Sequence, residues 1–497
     1  MILSNNFTGN SGLLTPSNIN RDALQTGVAF IGATARFPRA CPVMFLQKAA
    51  ENGTPNLGIL GIGLGASDGS RERFAALEQQ DGLYTLVSKG TGGIEYKLGT
   101  LLKELVFAPD KTQEAIARLA DPAITLSLVI LTQSGYYYDS ATGGININSA
   151  DVQHDIKNPA NPKTGPGLIV AAMRARMRAG VAPFTPLSCE AMAENGATLG
   201  KVVISLAEQQ GDAALTAWLR EKASFPCAMV DRIVPKLKDS DIAEIEKTLG
   251  YRDNMPMVTE PFLQWVLEEW KDMPASLKGA LTKAGVQIVQ DVKPYERAKL
   301  LTLNATHTLM AYICNSAGFT YVDEVVNDPD FAPVAHASMA ETQASLQDLP
   351  GQNMKAYRKI VFERFQNPHI RHELAQIAHD GTNKIRDRQV AALRANLKIG
   401  APIDTLCLAI AGWINWAATT ENIDDRTTPD IGARAREVVK TGKLDAVMSI
   451  REAFGDDLPQ DKRVTDKIDA HLKGIQAQGP RDYLLSYIAA LTPAAVA

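Results

Sequence analysis

The chain has 497 residues, 45% of them hydrophobic and 21% charged, with a formal net charge of -4. That length allows two to four domains with ample core, and the charge balance supplies no general electrostatic reason to bind nucleic acid or anionic membranes. Five cysteines, Cys41, Cys189, Cys227, Cys314 and Cys407, stand apart without a CxxC pair, which argues against a disulfide framework and a cysteine zinc site and favours a reducing cytoplasm.

The opening stretch, "MILSNNFTGNSGLLTPSNINRD", has no basic region followed by a long apolar run, and no later segment approaches about 18 uninterrupted apolar residues. Neither an export signal nor a membrane span is expected. Rich in Asn, Ser and Gly, residues 1–24 read as a loose arm over the fold. From residue 25 short β-rich runs alternate with helical ones: "GVAFIG" (27–32), "PVMFLQKAAEN" (42–52), "LGILGIGL" (57–64) and "RERFAALEQQ" (71–80). This alternation predicts a parallel sheet covered by helices. Two alternating runs around a Gly-rich turn in 83–99 predict an inserted hairpin. A helix at 110–120 precedes "ITLSLVILT" (124–132), apolar on both faces like an interior parallel strand. A helix at 167–180 then leads to a buried strand at 183–189.

Beyond residue 285 strand signals fade, and 3.6-residue periodicity predicts helices over 295–313, 353–367, 370–381 and 403–418. The division expected is therefore an α/β N-terminal Rossmann-type dinucleotide-binding domain over 25–285 and a mainly α-helical C-terminal domain over 286–497.

The segment "KPYERAKLLTLNATHTLMAYI" (293–313) is an apolar helix carrying four polar residues. At about 100° per residue, with Lys299 at zero, Glu296 lies near 60°, His307 near 80° and Asn304 near 140°. Leu300, Leu303 and Met310 share that arc, so the polar group is set among buried residues. It reads either as core His and Asn satisfied locally, with Lys299 reaching water, or as a group kept for chemistry.

At "GVAFIGATARFPRA" a strand and a turn occupy the place of a phosphate loop, but no GxGxxG is present, because Thr34 stands where a second glycine is expected. Asp68, 36 positions past Gly32, either binds an adenosine ribose or caps the next helix.

The segments "SCEAMAENG" (188–196), "FPCAMVDRIVP" (225–235), "EPFLQWVLE" (260–268) and the KxxxxNxxH spacing of Lys299, Asn304 and His307 together resemble the long-chain, zinc-independent mannitol dehydrogenase family. "HDIKNPANPKTGPGLIV", "FERFQNPHIRHELAQIAHDG" and "FGDDLPQ" look most like its fructuronate reductase branch. The resemblance implies a dinucleotide domain, a helical domain and an active site between them. It makes Lys299 the general acid/base, with a pKa lowered by desolvation. Asn304 becomes an oxyanion donor with Asn195 as its partner, His307 a holder of a substrate hydroxyl, and Glu296 a proton relay to solvent. By the same resemblance Arg364, or the Arg371 and His372 pair, would take a substrate carboxylate, against the plainer reading of each as a surface charge. Asp231 either forms a structural ion pair with Arg232 or touches substrate. Gly32, Phe37, Arg39 and Asp68 would serve the cofactor.

The family's GxGxFHRAH loop is "GATARFPRAC" here, with Thr34 for the second glycine and Cys41 for the final histidine. Glu190 and Ala191 replace an Asp-Asn pair, and Gln133 replaces a glutamate. The changes gather around the expected cofactor and leave Lys299, Asn304 and His307 untouched. The function expected is NAD-dependent interconversion of a keto sugar acid and its alcohol, D-fructuronate and D-mannonate first, with NADP left open and no metal. A polyol 2-dehydrogenase is the nearest alternative; an epimerase or non-catalytic binding protein is the alternative raised by the altered loop. The partner expected is a small sugar acid or polyol, with no nucleic acid or membrane, in a monomer or weak oligomer.

Overall fold

The computed structural model of the chain describes residues 2–4, 12–15, 17–139 and 141–491. It divides into two compact units, Met1–Lys293 and Pro294–Ala497. Among the described residues no helix is long and apolar enough to cross a membrane.

The strands of the first unit, in chain order, are β1 (Leu14–Thr15), β2 (Thr26–Ile31), β3 (Gly58–Gly63), β4 (Tyr84–Gly90), β5 (Gly93–Gly99), β6 (Leu102–Phe107), β7 (Leu126–Val129), β8 (Tyr138–Asp139), β9 (Gly144–Ile145), β10 (Thr185–Ser188), β11 (Ala228–Asp231), β12 (Met257–Thr259), β13 (Gln264–Glu268) and β14 (Gln287–Val289). The main sheet is five parallel strands in the order β10-β7-β2-β3-β6. Its central strands β2, β3 and β7 are apolar and buried almost throughout, as expected for strands covered on both faces. The chain runs outward from β2 through β3 to β6, then returns to the other side of β2 at β7. A topological switch point therefore lies beyond the carboxyl ends of β2 and β7, where open α/β sheets bind ligands.

The predicted hairpin is β4 and β5, closed at Gly90 and Gly93, and it belongs to a separate sheet ordered β1-β5-β4-β12. This sheet corrects the picture of residues 1–24 as a loose arm. Leu14 pairs with Tyr96, and Leu3 is fully buried beside Leu83, Val87 and Tyr251, with its N–H on Arg252 O at 3.0 Å. Apolar side chains at Leu3 and Leu14 tether an otherwise polar segment; residues 1, 5–11 and 16 of the expected arm lie outside the described residues. A third sheet, β11-β13-β14, carries the "FPCAMVDRIVP" and "EPFLQWVLE" segments.

The second unit is helical and built around Asp404–Thr419, whose residues from Thr405 to Ala417 are all buried. Trp413 is 1% exposed at its centre; truncating a core side chain of that size costs about 3–5 kcal/mol. The predicted helices over 353–367 and 403–418 are present as Met354–Phe365 and Asp404–Thr419. The one over 370–381 is not: Leu374–Ile377 is a single helical turn, and the next helix begins only at Gly381. Glu373 forms a β-bridge with Tyr321, His372 O accepts from Val322 N–H, Leu374 N–H goes to Thr320 O, and Asp380 has φ of 54°. Long-range backbone bonds thus win over the local periodicity.

Candidate functional site

The helix bearing Lys299 is continuous but not uniform. Lys293–Lys299 is α-helical, Leu300–Asn304 is a π turn, Ala305–Leu309 is α-helical and Met310–Cys314 is a second π turn. Ala305 N–H reaches Leu300 O and Asn315 N–H reaches Met310 O, five residues back in each case. Residues five apart are brought into line in such a turn. Lys299 and Asn304 are five apart, so the angle of about 140° expected from uniform α rotation is too large. A sequence read at one fixed period does not register this inserted turn.

The polar residues of this helix lie among buried ones, Leu303 and Met310 included. Lys299 and Glu296 are half-buried, and each interacts with other residues. His307 is 5% exposed, tilted against the Phe365 ring at 4.4 Å and edge-on to His372 at 5.1 Å. Its pKa is pushed well below the usual imidazole value, first by burial and then by His372, Arg388, Arg364 and Lys384. It is therefore neutral near pH 7. Three buried atoms here, Asn304 Oδ1, His307 Nε2 and His372 Nδ1, have no hydrogen-bond partner among the described residues. Leaving such groups unmet costs about 1–3 kcal/mol each, the signature of a surface shaped for a ligand.

Arg371 and His372 are adjacent in sequence but part company. Arg371 faces outward, paired with Asp323 at 3.4 Å and Glu324 at 3.0 Å and lying over Tyr321 at 3.8 Å. His372 turns inward to His307, its pKa lowered to about 4 by burial. The extended backbone at the Tyr321–Glu373 bridge alternates the two side chains. Of the expected pair, His372 alone faces His307, while Arg364 is buried at 7% exposure and acts on His307.

Two cations near His307 were not anticipated. Lys384 donates from Nζ to Ile377 O at 2.7 Å, and burial lowers its pKa to about 8. Arg388 donates from Nη1 to Asn304 O at 3.1 Å and to Thr308 Oγ1 at 2.8 Å, and burial lowers its pKa to about 10. Neither has a carboxylate ion partner among the described residues. They lie in "DGTNKIRDR" (380–388), a stretch with no motif to mark it. Gly381 is the telling residue there: a Cβ on it would lie 2.5 Å from Trp413 Nε1 and 2.8 Å from Tyr312 Oη, so the chain must press against the core at that point.

In the first unit, Gly32 follows β2 at the switch point with φ of +95°, and a Cβ on it would lie 2.4 Å from Ile130 O, just past β7. Gly32→Ala should therefore destabilise the unit by about 2–4 kcal/mol. Urea unfolding measures this, and an unchanged midpoint would show that the Gly32 approach to Ile130 is not required. After the turn, a short helix Arg36–Ala40 precedes the expected one, which starts at Pro42 as first helical residue. Phe37 is half-buried. Arg39 is not available to a ligand: it is 1% exposed, donates to Met255 O at 3.0 Å and Ala35 O at 3.3 Å, and lies against Tyr84. On a five-residue helix whose other side meets the core, it is drawn inward, and Cys41 is likewise fully buried instead of lining the loop. The half-buried cation nearest the turn is Arg36, which donates to Pro235 O at 2.8 Å. Asp68 is exposed at the first position of Asp68–Gln79, just beyond β3.

Asn195 begins the helix Asn195–Gln209 and is 1% exposed. Its Nδ2 donates to Glu190 O at 2.9 Å and Ala228 O at 2.8 Å, and its Oδ1 accepts from Gly196 and Ala228 N–H at 2.8 and 3.1 Å. Its amide is thus spent on joining the end of β10 to β11. Asp231 is 2% exposed at the end of β11. Arg232, the ion-pair partner expected for Asp231, directs its guanidinium to other groups, donating to Glu260 O, Ala40 O and Ser88 Oγ.

A glycine held at positive φ against the neighbouring strand, a helix first turn behind it and an exposed acid beyond the second strand fit a dinucleotide. Among the described residues no group of three His, Cys, Asp or Glu side chains is placed to hold a metal.

Two family models match the chain: the mannitol dehydrogenase Rossmann domain over residues 55–278 and the mannitol dehydrogenase C-terminal domain over 291–476. The chain is 31% identical to D-mannonate oxidoreductase of Escherichia coli over 92% of its own length and 95% of that protein's. It is 34% identical to mannitol 2-dehydrogenase of Pyrenophora tritici-repentis over 81% of the chain and 72% of the relative. The structure of Pseudomonas fluorescens mannitol 2-dehydrogenase, a ternary complex with NAD and D-mannitol, superposes with a TM-score of 0.85 at 27% identity, covering 99% of this chain and 100% of that one.

Proposed function

The chain belongs to the long-chain mannitol dehydrogenase family of oxidoreductases, and we propose that within it this protein reduces a keto sugar acid to the corresponding alcohol with NADH, D-fructuronate to D-mannonate first. The observation that carries this reading is Lys384, a buried cation beside His307 and His372 with no carboxylate in ion-pair contact among the described residues. Asp380 and Asp425 act on this lysine without pairing with it, and a substrate carboxylate would offset the burial cost that remains. A polyol has no charge to offer in return.

The Gly32 turn and Asp68 would hold NAD, which would supply the hydride. Lys299 delivers the proton to the oxygen of the reduced carbonyl and takes it back in the reverse direction. Asn304 donates its amide N–H to that oxygen as negative charge develops. Neutral His307 holds a neighbouring substrate hydroxyl, and Glu296 passes the proton between Lys299 and water. Arg364 and His372 join Lys384 on the carboxylate side. Asn195 serves by bracing its loop, and a direct contact with substrate would require it to release one of the carbonyls its amide holds. Asp231 supports the β11 end of the same unit.

Purified protein is to be assayed for NADH oxidation with D-fructuronate, D-tagaturonate and D-fructose, and for NADPH in parallel. The expected result is a kcat/KM at least about a hundredfold higher for one of the two acids than for fructose, in line with a charge-assisted contact of about 3 kcal/mol. Activity with fructose alone would overturn the sugar-acid reading in favour of a polyol dehydrogenase.

A further inference from the structure

Asn304 closes a π turn, a geometry rarely stable by itself, and another π turn of the same unit meets it. Ile385–Val390 carries Arg388 and Gln389. Arg388 Nη1 donates to Asn304 O at 3.1 Å and to Thr308 Oγ1 at 2.8 Å, and the Thr308 hydroxyl donates to the same Asn304 O at 2.9 Å. One residue on, Gln389, fully buried, donates from Nε2 to Ala305 O at 2.8 Å. Two consecutive side chains of one π turn thus grip two consecutive carbonyls at the end of the other. Such outside donors suit a stretch where the regular i→i+4 ladder is interrupted. Without them the turn can relax to α spacing, which would swing Asn304 around the helix relative to Lys299, toward the angle of about 140° set by about 100° per residue.

We propose that Arg388, seconded by Gln389, is a positioning residue that holds the widened turn Leu300–Asn304 open so that the Asn304 amide meets the substrate oxygen. The proposal rests on the reading of Asn304 as the oxyanion donor. Arg388 itself touches no reacting atom; it works through the backbone on which Asn304 sits. A guanidinium suits the task, since its rigid fork fixes direction at both the carbonyl and the hydroxyl, whereas a lysine offers only a point charge on a flexible stem.

The test is a double-mutant cycle on the full chain, with D-fructuronate and NADH, combined with hydrogen exchange read by mass spectrometry. Arg388→Met should lower kcat about thirtyfold with KM changed less than about threefold, and Arg388→Lys should recover part of the loss. In an Asn304→Ala background the same Arg388→Met change should cost less than about twofold, because the residue it positions is gone. The amides of residues 300–308 should exchange at least about tenfold faster in Arg388→Met while the helix Asp404–Thr419 is unaffected. An equal loss in both backgrounds, or unchanged exchange at 300–308, overturns the proposal. If Asn304→Ala alone keeps full turnover, the catalytic reading of Asn304 fails, and the exchange data still decide whether Arg388 holds the turn. Should Arg388→Met not fold, Thr308→Val, which removes the other acceptor of the same nitrogen, carries the comparison.

Discussion

Lys299→Ala is expected to lower kcat by about a thousandfold or more, within the range of about 10²–10⁴ that a positioned acid/base supplies together with the cost of a cavity beside the reacting oxygen. NADH affinity and the melting temperature should change little, because Lys299 ends an α turn without capping it and sits half-buried, outside the packed core. Steady-state turnover, NADH fluorescence titration and thermal unfolding on the same preparation separate these outcomes. Lys299→Cys alkylated with bromoethylamine adds a second readout: all five native cysteines are buried, so the reagent meets the new thiol first. Recovery of turnover on alkylation would assign the role to an amine at this position. Undiminished turnover in Lys299→Ala would remove the proton-transfer role altogether, whatever the substrate.

What could be read before the structure follows from which interactions are local. Strands β2, β3 and β7 announced themselves as short apolar runs between helical stretches, and the hairpin of β4 and β5 through its Gly-rich turn. The helix Asp404–Thr419 did so through an apolar run of helical length. Long-range pairing was not legible. The extended segment at 371–373 is set by bonds to residues 320–322, the burial of Arg39 by Met255 and Tyr84, and the docking of Leu3 by the second sheet. Each depends on residues tens to hundreds of positions away.

The candidate site divides along the same line. KxxxxNxxH located Lys299, Asn304 and His307 on one helix, because residues within two turns share a local geometry. It did not reveal the π turn that brings Lys299 and Asn304 into line, nor the cations that approach from residues 384–388. Asn195 shows the opposite error. Its position at the start of a helix was recognisable, but the carbonyls that engage its amide come from β10 and the residues just past it and from β11, and only the folded chain displays them.

The largest effect on substrate choice is expected at Lys384. Its pKa in the free protein is lowered from 10.5 to about 8, chiefly by burial, with Arg388 adding repulsion. A carboxylate bound beside it favours the ammonium form, so the pKa rises on binding. The sign follows directly: affinity for an anionic substrate is full below pH about 8, where the free protein already carries the charge, and falls with rising pH above it, up to the higher pKa of the complex. A neutral polyol draws nothing from that charge and should show no such limb. Lys384→Met should lower kcat/KM for D-fructuronate about a hundredfold at pH 7, since leaving a buried charge unpaired costs about 2–5 kcal/mol. The alkaline fall that remains in the variant then belongs to other groups. The difference between the two pH profiles isolates Lys384, and equal losses for D-fructuronate and for D-mannitol would show that this lysine supports the fold of the site and does not read the substrate's charge.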